Sequence, residues 1–95
     1  MPITMIPPAE VDSYSSTMTG NETFADPGPS HGVYFLDPNG SDRNFNPSGD
    51  FLSGYIAFVK NIGTVGNVIF DSESSVQIIY PGQLGVIMYD GTTWR

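Results

Sequence analysis

Residues 51–95, FLSGYIAFVKNIGTVGNVIFDSESSVQIIYPGQLGVIMYDGTTWR, hold nearly all of the chain's sustained apolar character. They divide into four short runs, at 51–60, 65–70, 75–80 and 84–89. The breaks are Asn61-Ile62-Gly63, Asp71-Ser72-Glu73-Ser74 and Pro81-Gly82, and the last run stops at Asp90-Gly91. Runs of this length, rich in Val, Ile, Phe and Tyr and bounded by Gly, Pro, Asn and Asp, predict β-strands joined as an antiparallel meander. Pro81 presets the φ wanted at the second position of a type II turn, and Gly82 supplies the positive φ wanted at the third. Asp90-Gly91 suits a tight hairpin because both residues tolerate positive φ, and the remaining residues are enough to fold Trp94 back as a plug over that hairpin.

Upstream, residues 31–36 (HGVYFL) predict a further strand, closed by Asp37-Pro38-Asn39-Gly40. Residues 41–50 read as a long polar loop with one short strand around 43–45, and residues 23–25 as an edge strand. The expected fold is therefore all-β, a small antiparallel β-sandwich or barrel of six to seven strands. Eleven Gly and eight Pro leave few windows in which a helix would survive. Residues 32–95 form the expected β domain. Residues 1–31, rich in Pro, Ser and Thr, read either as a solvated tail or as an extended arm and linker laid across a partner; the spaced Met5, Ile6, Tyr14 and Met18 would anchor such an arm. The short likeness between residues 32–37 and 85–90 reads as one strand-into-turn chemistry used twice.

Alternation within the strands bears on association. One face of the 51–60 run holds Phe51, Tyr55, Ala57 and Val59, and the other holds Leu52, Ile56 and Phe58. In the 84–89 run, Leu84, Val86 and Met88 oppose Ile87 and Tyr89. A strand that covers one core alternates apolar with polar; these are apolar on both faces. The second face predicts a subunit interface, or the overlap of a closed barrel. With 95 residues and no cysteine to staple it, the domain has reason to gain burial from a neighbour.

A net charge of -7 from only three basic residues argues against binding a phosphate backbone or an anionic membrane surface. No apolar run is long enough to span a bilayer as a helix, and the first residues lack the basic start and apolar centre of a secretory signal, so synthesis in a cytoplasm is expected. His31, the only histidine, has no serine or carboxylate placed for it by any motif, and reads as a strand-end residue. Asp37, Asn39, Asp42 and Asp50 approach a calcium-loop spacing, but the glycine and glutamate positions of that loop do not match, which leaves an ordinary Asp-Pro-Asn-Gly turn. No catalytic residue, metal site or cofactor is expected, and the aromatic residues lie mostly within the strands, as core.

From residue 53 onward the pattern Gly54-Tyr55-Ile56-Ala57-Phe58-Val59-Lys60-Asn61-Ile62-Gly63, Val68-Ile69-Phe70, Ile79-Tyr80-Pro81-Gly82-Gln83 and Tyr89-Asp90-Gly91-Thr92-Thr93-Trp94 resembles a β-module of tailed-phage virion proteins. That module occurs in tail fibres, appendages and small head-associated proteins. The resemblance covers slightly less than half of the chain and implies a non-enzymatic, commonly trimeric virion part. A module preceded by fifty residues and no repetitive shaft looks most like a capsid decoration or cement protein, bound to the major capsid protein on the head exterior. Tyr55, Ile56, Phe58, Val86, Met88 and Trp94 would then build the body and the oligomer contact. The alternative is a tail-appendage module that binds a host surface glycan through the loops at 41–50 and 71–75.

Overall fold

The computed structural model describes residues 12–25, 31–72 and 75–95. Every regular element among them is a strand. The eight are β1 (Asp12–Thr17), β2 (Glu22–Phe24), β3 (His31–Asp37), β4 (Arg43–Pro47), β5 (Ile56–Asn61), β6 (Val68–Ser72), β7 (Ser75–Ile79) and β8 (Leu84–Met88). They form two four-stranded sheets, ordered β1-β3-β5-β8 and β2-β4-β6-β7.

The all-β expectation holds; the antiparallel meander does not. Successive strands alternate between the sheets, so β1 pairs with β3, β3 with β5, β2 with β4 and β4 with β6, all in parallel. Only β5–β8 and β6–β7 are antiparallel. The chain thus winds as a flattened, two-sided coil, in which the strand of one sheet serves as the crossover between parallel neighbours in the other. The hairpin of β6 and β7 reverses the direction, and β8 closes the first sheet. The run at Asn61-Ile62-Gly63 is therefore a passage between sheets and not a hairpin turn. The same holds at Pro81-Gly82, although the local geometry is the one predicted: Gly82 has φ +82° and Gln83 N donates to Tyr80 O at 2.9 Å.

The first turns of the coil are the shorter ones, with Asp12 beside Gly32 and Glu22 beside Phe45; the later turns share one period, which is not the spacing of the short likeness between residues 32–37 and 85–90. Gly32 lies beside Ala57, and Arg43 beside Val68, each 25 residues on. Short polar side chains link successive turns. Asn21 Oδ1 accepts from Asn44 N (3.0 Å), Asp42 Oδ1 from Asn67 N (2.9 Å) and Asn46 Oδ1 from Asp71 N (2.9 Å). Each occupies a backbone donor at the point where a strand begins or ends.

The division at residue 31 also needs correction. β1 and β2 belong to the body as the first turn of the coil, and Met18, expected as an arm anchor, is fully buried. Tyr14 sits on β1, where its hydroxyl and that of Ser16 donate to the Glu22 carboxylate at 2.8 and 2.7 Å. A segment this poor in apolar residues enters a sheet because its outward positions, Ser13, Ser15 and Thr17, lie on an edge strand, where little burial is asked of them. Met5 and Ile6 lie outside the described residues.

The core fills the space between the sheets. Leu36, Val59, Val68 and Ile79 are buried together with Met18, and Phe24, Tyr34, Phe45, Phe70 and Trp94 make an aromatic cluster in which Phe24 stacks on Phe45 at 4.7 Å. Asn61 is the one buried polar side chain among the described residues. Its Nδ2 donates to Gly66 O and Ile79 O, and its Oδ1 accepts from Gly63 N, so it ties the passage from β5 to the second sheet. Two turns of the coil pack closely at Gly66, whose φ is +97° and where a Cβ would stand 2.5 Å from Ser41 O and 2.9 Å from Ser41 N. Gly66→Ala should cost about 3 kcal/mol, from an unfavourable φ plus a clash with backbone that cannot rotate away. Denaturant melts would check this, and an unchanged midpoint would mean that the turns are not packed at that separation.

Candidate functional site

The outward side of the first sheet follows from strand parity. On β3 it carries Val33 and Phe35, on β5 Ile56 and Phe58, and on β8 Leu84, Val86 and Met88, while Tyr34, Leu36, Ala57, Val59 and Ile87 turn inward. Register places Val33 beside Phe58, Phe58 beside Val86 and Ile56 beside Met88, so these side chains form one surface across three strands. Phe35 is 37%, Leu84 57%, Val86 44% and Met88 50% exposed. Together with the half-buried Val33, Ile56 and Phe58 they present apolar area on the order of 400 Å², within the size range of functional patches.

Charge is nearly absent from this surface. Lys60 lies on it between Phe35 and Leu84, with its Nζ donating to Gly82 O at 2.6 Å. Asp37 follows at the end of β3, where Oδ1 accepts from Asn39 N and closes the 37–40 turn. The hydroxyl residues Ser13, Ser15 and Thr17 of β1 border one side.

The residues predicted as an oligomer or core set separate into two groups. Ile56, Phe58, Val86 and Met88 share the outward face. Tyr55 and Trp94 are buried, at 1% and 8% exposure. Tyr55 Oη meets Tyr34 Oη at 2.8 Å within the core, where Gly32 leaves room for both hydroxyls. Phe35 joins this face although the sequence expectation rests on the 51–60 and 84–89 runs alone; residues 33–36 are likewise apolar at every position, which is the signal for it.

At the C-terminal end a second feature forms. Tyr89 bridges to Trp94, and Met88 exchanges both backbone hydrogen bonds with Arg95 at 3.0 and 2.7 Å, so the last residues fold back on β8 as expected. The loop differs in detail from a two-residue turn at positions 90 and 91. It spans Asp90 to Thr93, and Gly91 has φ +98°. Asp90 organises it: Oδ1 accepts from Thr92 N and Thr93 N, and Oδ2 from Thr93 Oγ1 and Arg95 Nε at 2.6 Å. The Thr93 N–H, then the Arg95 guanidinium and the Thr92 N–H, hold the Asp90 carboxyl well below the usual carboxylate range.

A group whose folded pKa is depressed contributes stability that is complete above its unfolded pKa and is lost as pH falls toward the folded value. The melting temperature of the wild type should therefore exceed that of Asp90→Asn near neutrality, and the gap should narrow between about pH 4 and pH 2. A gap independent of pH would show that Asp90 acts through shape alone.

This hairpin, the segment 46–51 and the end of β6 enclose an open cleft of about 730 Å³. Phe51, Tyr89 and Trp94 form its aromatic side, with ring centroids 4.9 Å apart for Phe51–Trp94 and 5.1 Å for Tyr89–Trp94. Asn46, Asp71, Ser72, Thr92 and Thr93 supply its polar side. Among the described residues no group of His, Cys, Asp or Glu side chains is placed to hold a metal ion. Comparison with known protein families, with characterised proteins and with solved structures finds no match to this chain.

Proposed function

We propose that this chain is a structural protein of a tailed-phage virion, a decoration or cement protein that self-associates through the outward face of its first sheet and binds the head exterior. The observation that carries the reading is that face, apolar across β3, β5 and β8 on a chain of net charge -7. The occupant it fits best is a second copy of the same chain. Copies of so acidic a protein repel one another, and the apolar stretch of this surface holds no carboxylate, with Asp37 lying at its end on β3. The resemblance of residues 53–95 to virion β-modules supplies the setting and the trimeric expectation.

Stabilisation of a shell needs no catalysis: a protein that binds only the assembled lattice adds its binding free energy to that lattice. Met5 and Ile6 are the proposed contacts to the major capsid protein. The test is mass spectrometry of purified virions from the phage that encodes the chain. A fixed ratio to the major capsid protein supports a virion role, and absence from intact particles would overturn it.

A further inference from the structure

We infer that the cleft between the C-terminal hairpin, Asn46 and Asp71 is a binding site for a neutral saccharide. The inference is independent of the virion reading, since none of the outward-face residues of the first sheet lines the cleft.

Three properties point to that ligand class. The first is the pairing of an aromatic side with a polar side. A pyranose ring has one or two faces of C–H groups and a rim of hydroxyls, so its site needs an aromatic surface next to directional hydrogen-bonding groups. Phe51 and Tyr89 are half-buried, held by the core beneath them, and Trp94 closes the side between them with little of its own surface exposed. Rings fixed by packing lose little freedom on binding.

The second property is the polar chemistry. Asp71 is exposed at the cleft, and its backbone N–H is already used by Asn46 Oδ1. That hydrogen bond fixes the Asn46 amide, which leaves Nδ2 as the donor for a ligand, while the Asp71 carboxylate accepts. An amide donor beside a carboxylate acceptor matches adjacent sugar hydroxyls, each of which both donates and accepts. Thr92 adds an exposed hydroxyl.

The third is charge. No cationic side chain lines the cleft, and Arg95 nearby is paired with Asp90. Sialylated, uronic or phosphorylated ligands would meet Asp71 without a counter-charge, so neutral sugars are selected. The volume lies within the range of about 300–1,000 Å³ common to small-molecule sites, and the open shape suits a short oligosaccharide entering from one side.

Trp94 is the only tryptophan and lines this cleft, so its fluorescence and its indole N–H resonance can be followed there without a second indole. The experiment titrates the full chain with chitotriose, cellotriose and mannotriose, with sialyllactose as the acidic comparator. The expected result is a saturable shift of the Trp94 signals with at least one neutral trisaccharide and none with sialyllactose. Asp71→Ala should weaken that binding at least tenfold without changing the melting temperature, because the side chain is exposed. No response to any neutral sugar, a preference for sialyllactose, or unchanged affinity in the Asp71→Ala chain would each overturn the proposal.

Discussion

Trp94→Ala is expected to destabilise the fold by about 4 kcal/mol, which for a domain of this size lowers the melting temperature by roughly 20 °C. The indole is 8% exposed and has ring neighbours on the second sheet, Phe24 at 5.8 Å and Phe70 at 5.4 Å, on the segment between β4 and β5, Phe51 at 4.9 Å, and just past the end of β8, Tyr89 at 5.1 Å. Removing it opens a cavity among rigid rings that cannot collapse into the space, so both the transfer loss and the cavity cost apply. It also removes the side chain that packs the C-terminal hairpin onto the core, leaving its backbone pairing at Tyr89–Trp94 and Met88–Arg95 without that support. Trp94→Phe should recover about half of the loss, since a ring of smaller area still fills part of the site. A melting temperature within a few degrees of wild type for the alanine variant would mean that the last residues do not seal the open end of the two sheets.

Val86→Glu is expected to weaken self-association at least 100-fold while leaving the fold intact. Val86 is the middle residue of β8, the edge strand of the outward face, beside Phe58 in register, and is 44% exposed in a single chain. A glutamate there remains solvated in a monomer, where it costs little. In an oligomer it would be buried among Phe58, Ile56 and Met88 without a partner, and an uncompensated buried charge costs several kcal/mol. Sedimentation velocity of the variant against wild type reads the effect. Unchanged association would place the contact elsewhere on the molecule.

Most strand positions were legible in the sequence, because they depend on local chemistry. The β-rich runs end at Gly, Pro, Asn and Asp, and the structure ends strands there as well. Even the short β2 and β4 fall where residues 23–25 and 43–45 suggested them. Pairing was not legible. A hairpin and a passage between sheets use the same turn residues, and Asn61-Ile62-Gly63 gives no local sign that Asn61 will be buried with three hydrogen bonds instead of lying on a surface turn.

The period of the coil was hidden for a related reason. Positions that stack across successive turns share a direction, inward or outward, and not an identity: Tyr34 lies beside Val59, and Leu36 beside Asn61. Only a pair such as Phe45 and Phe70, 25 residues apart and both buried, keeps the residue type. DSYSST has no apolar alternation to mark it as a strand and so falls within the expected arm, yet the β1 backbone pairs with β3 along its full length. The outward face was legible, since two apolar faces on one strand is a statement about composition that survives an error in pairing. The cleft was legible only as a pair of loops; its aromatic side requires the hairpin to bring Tyr89 and Trp94 next to Phe51.

The molar mass of the full chain in solution, measured by light scattering across a concentration series, tests the central claim most directly. The account predicts an oligomer, three times the 10.3 kDa chain mass, that falls to the mass of one chain in the Val86→Glu variant. A wild-type protein that stays at 10.3 kDa at about 100 μM, well above the micromolar range where weak specific interfaces form, would contradict it.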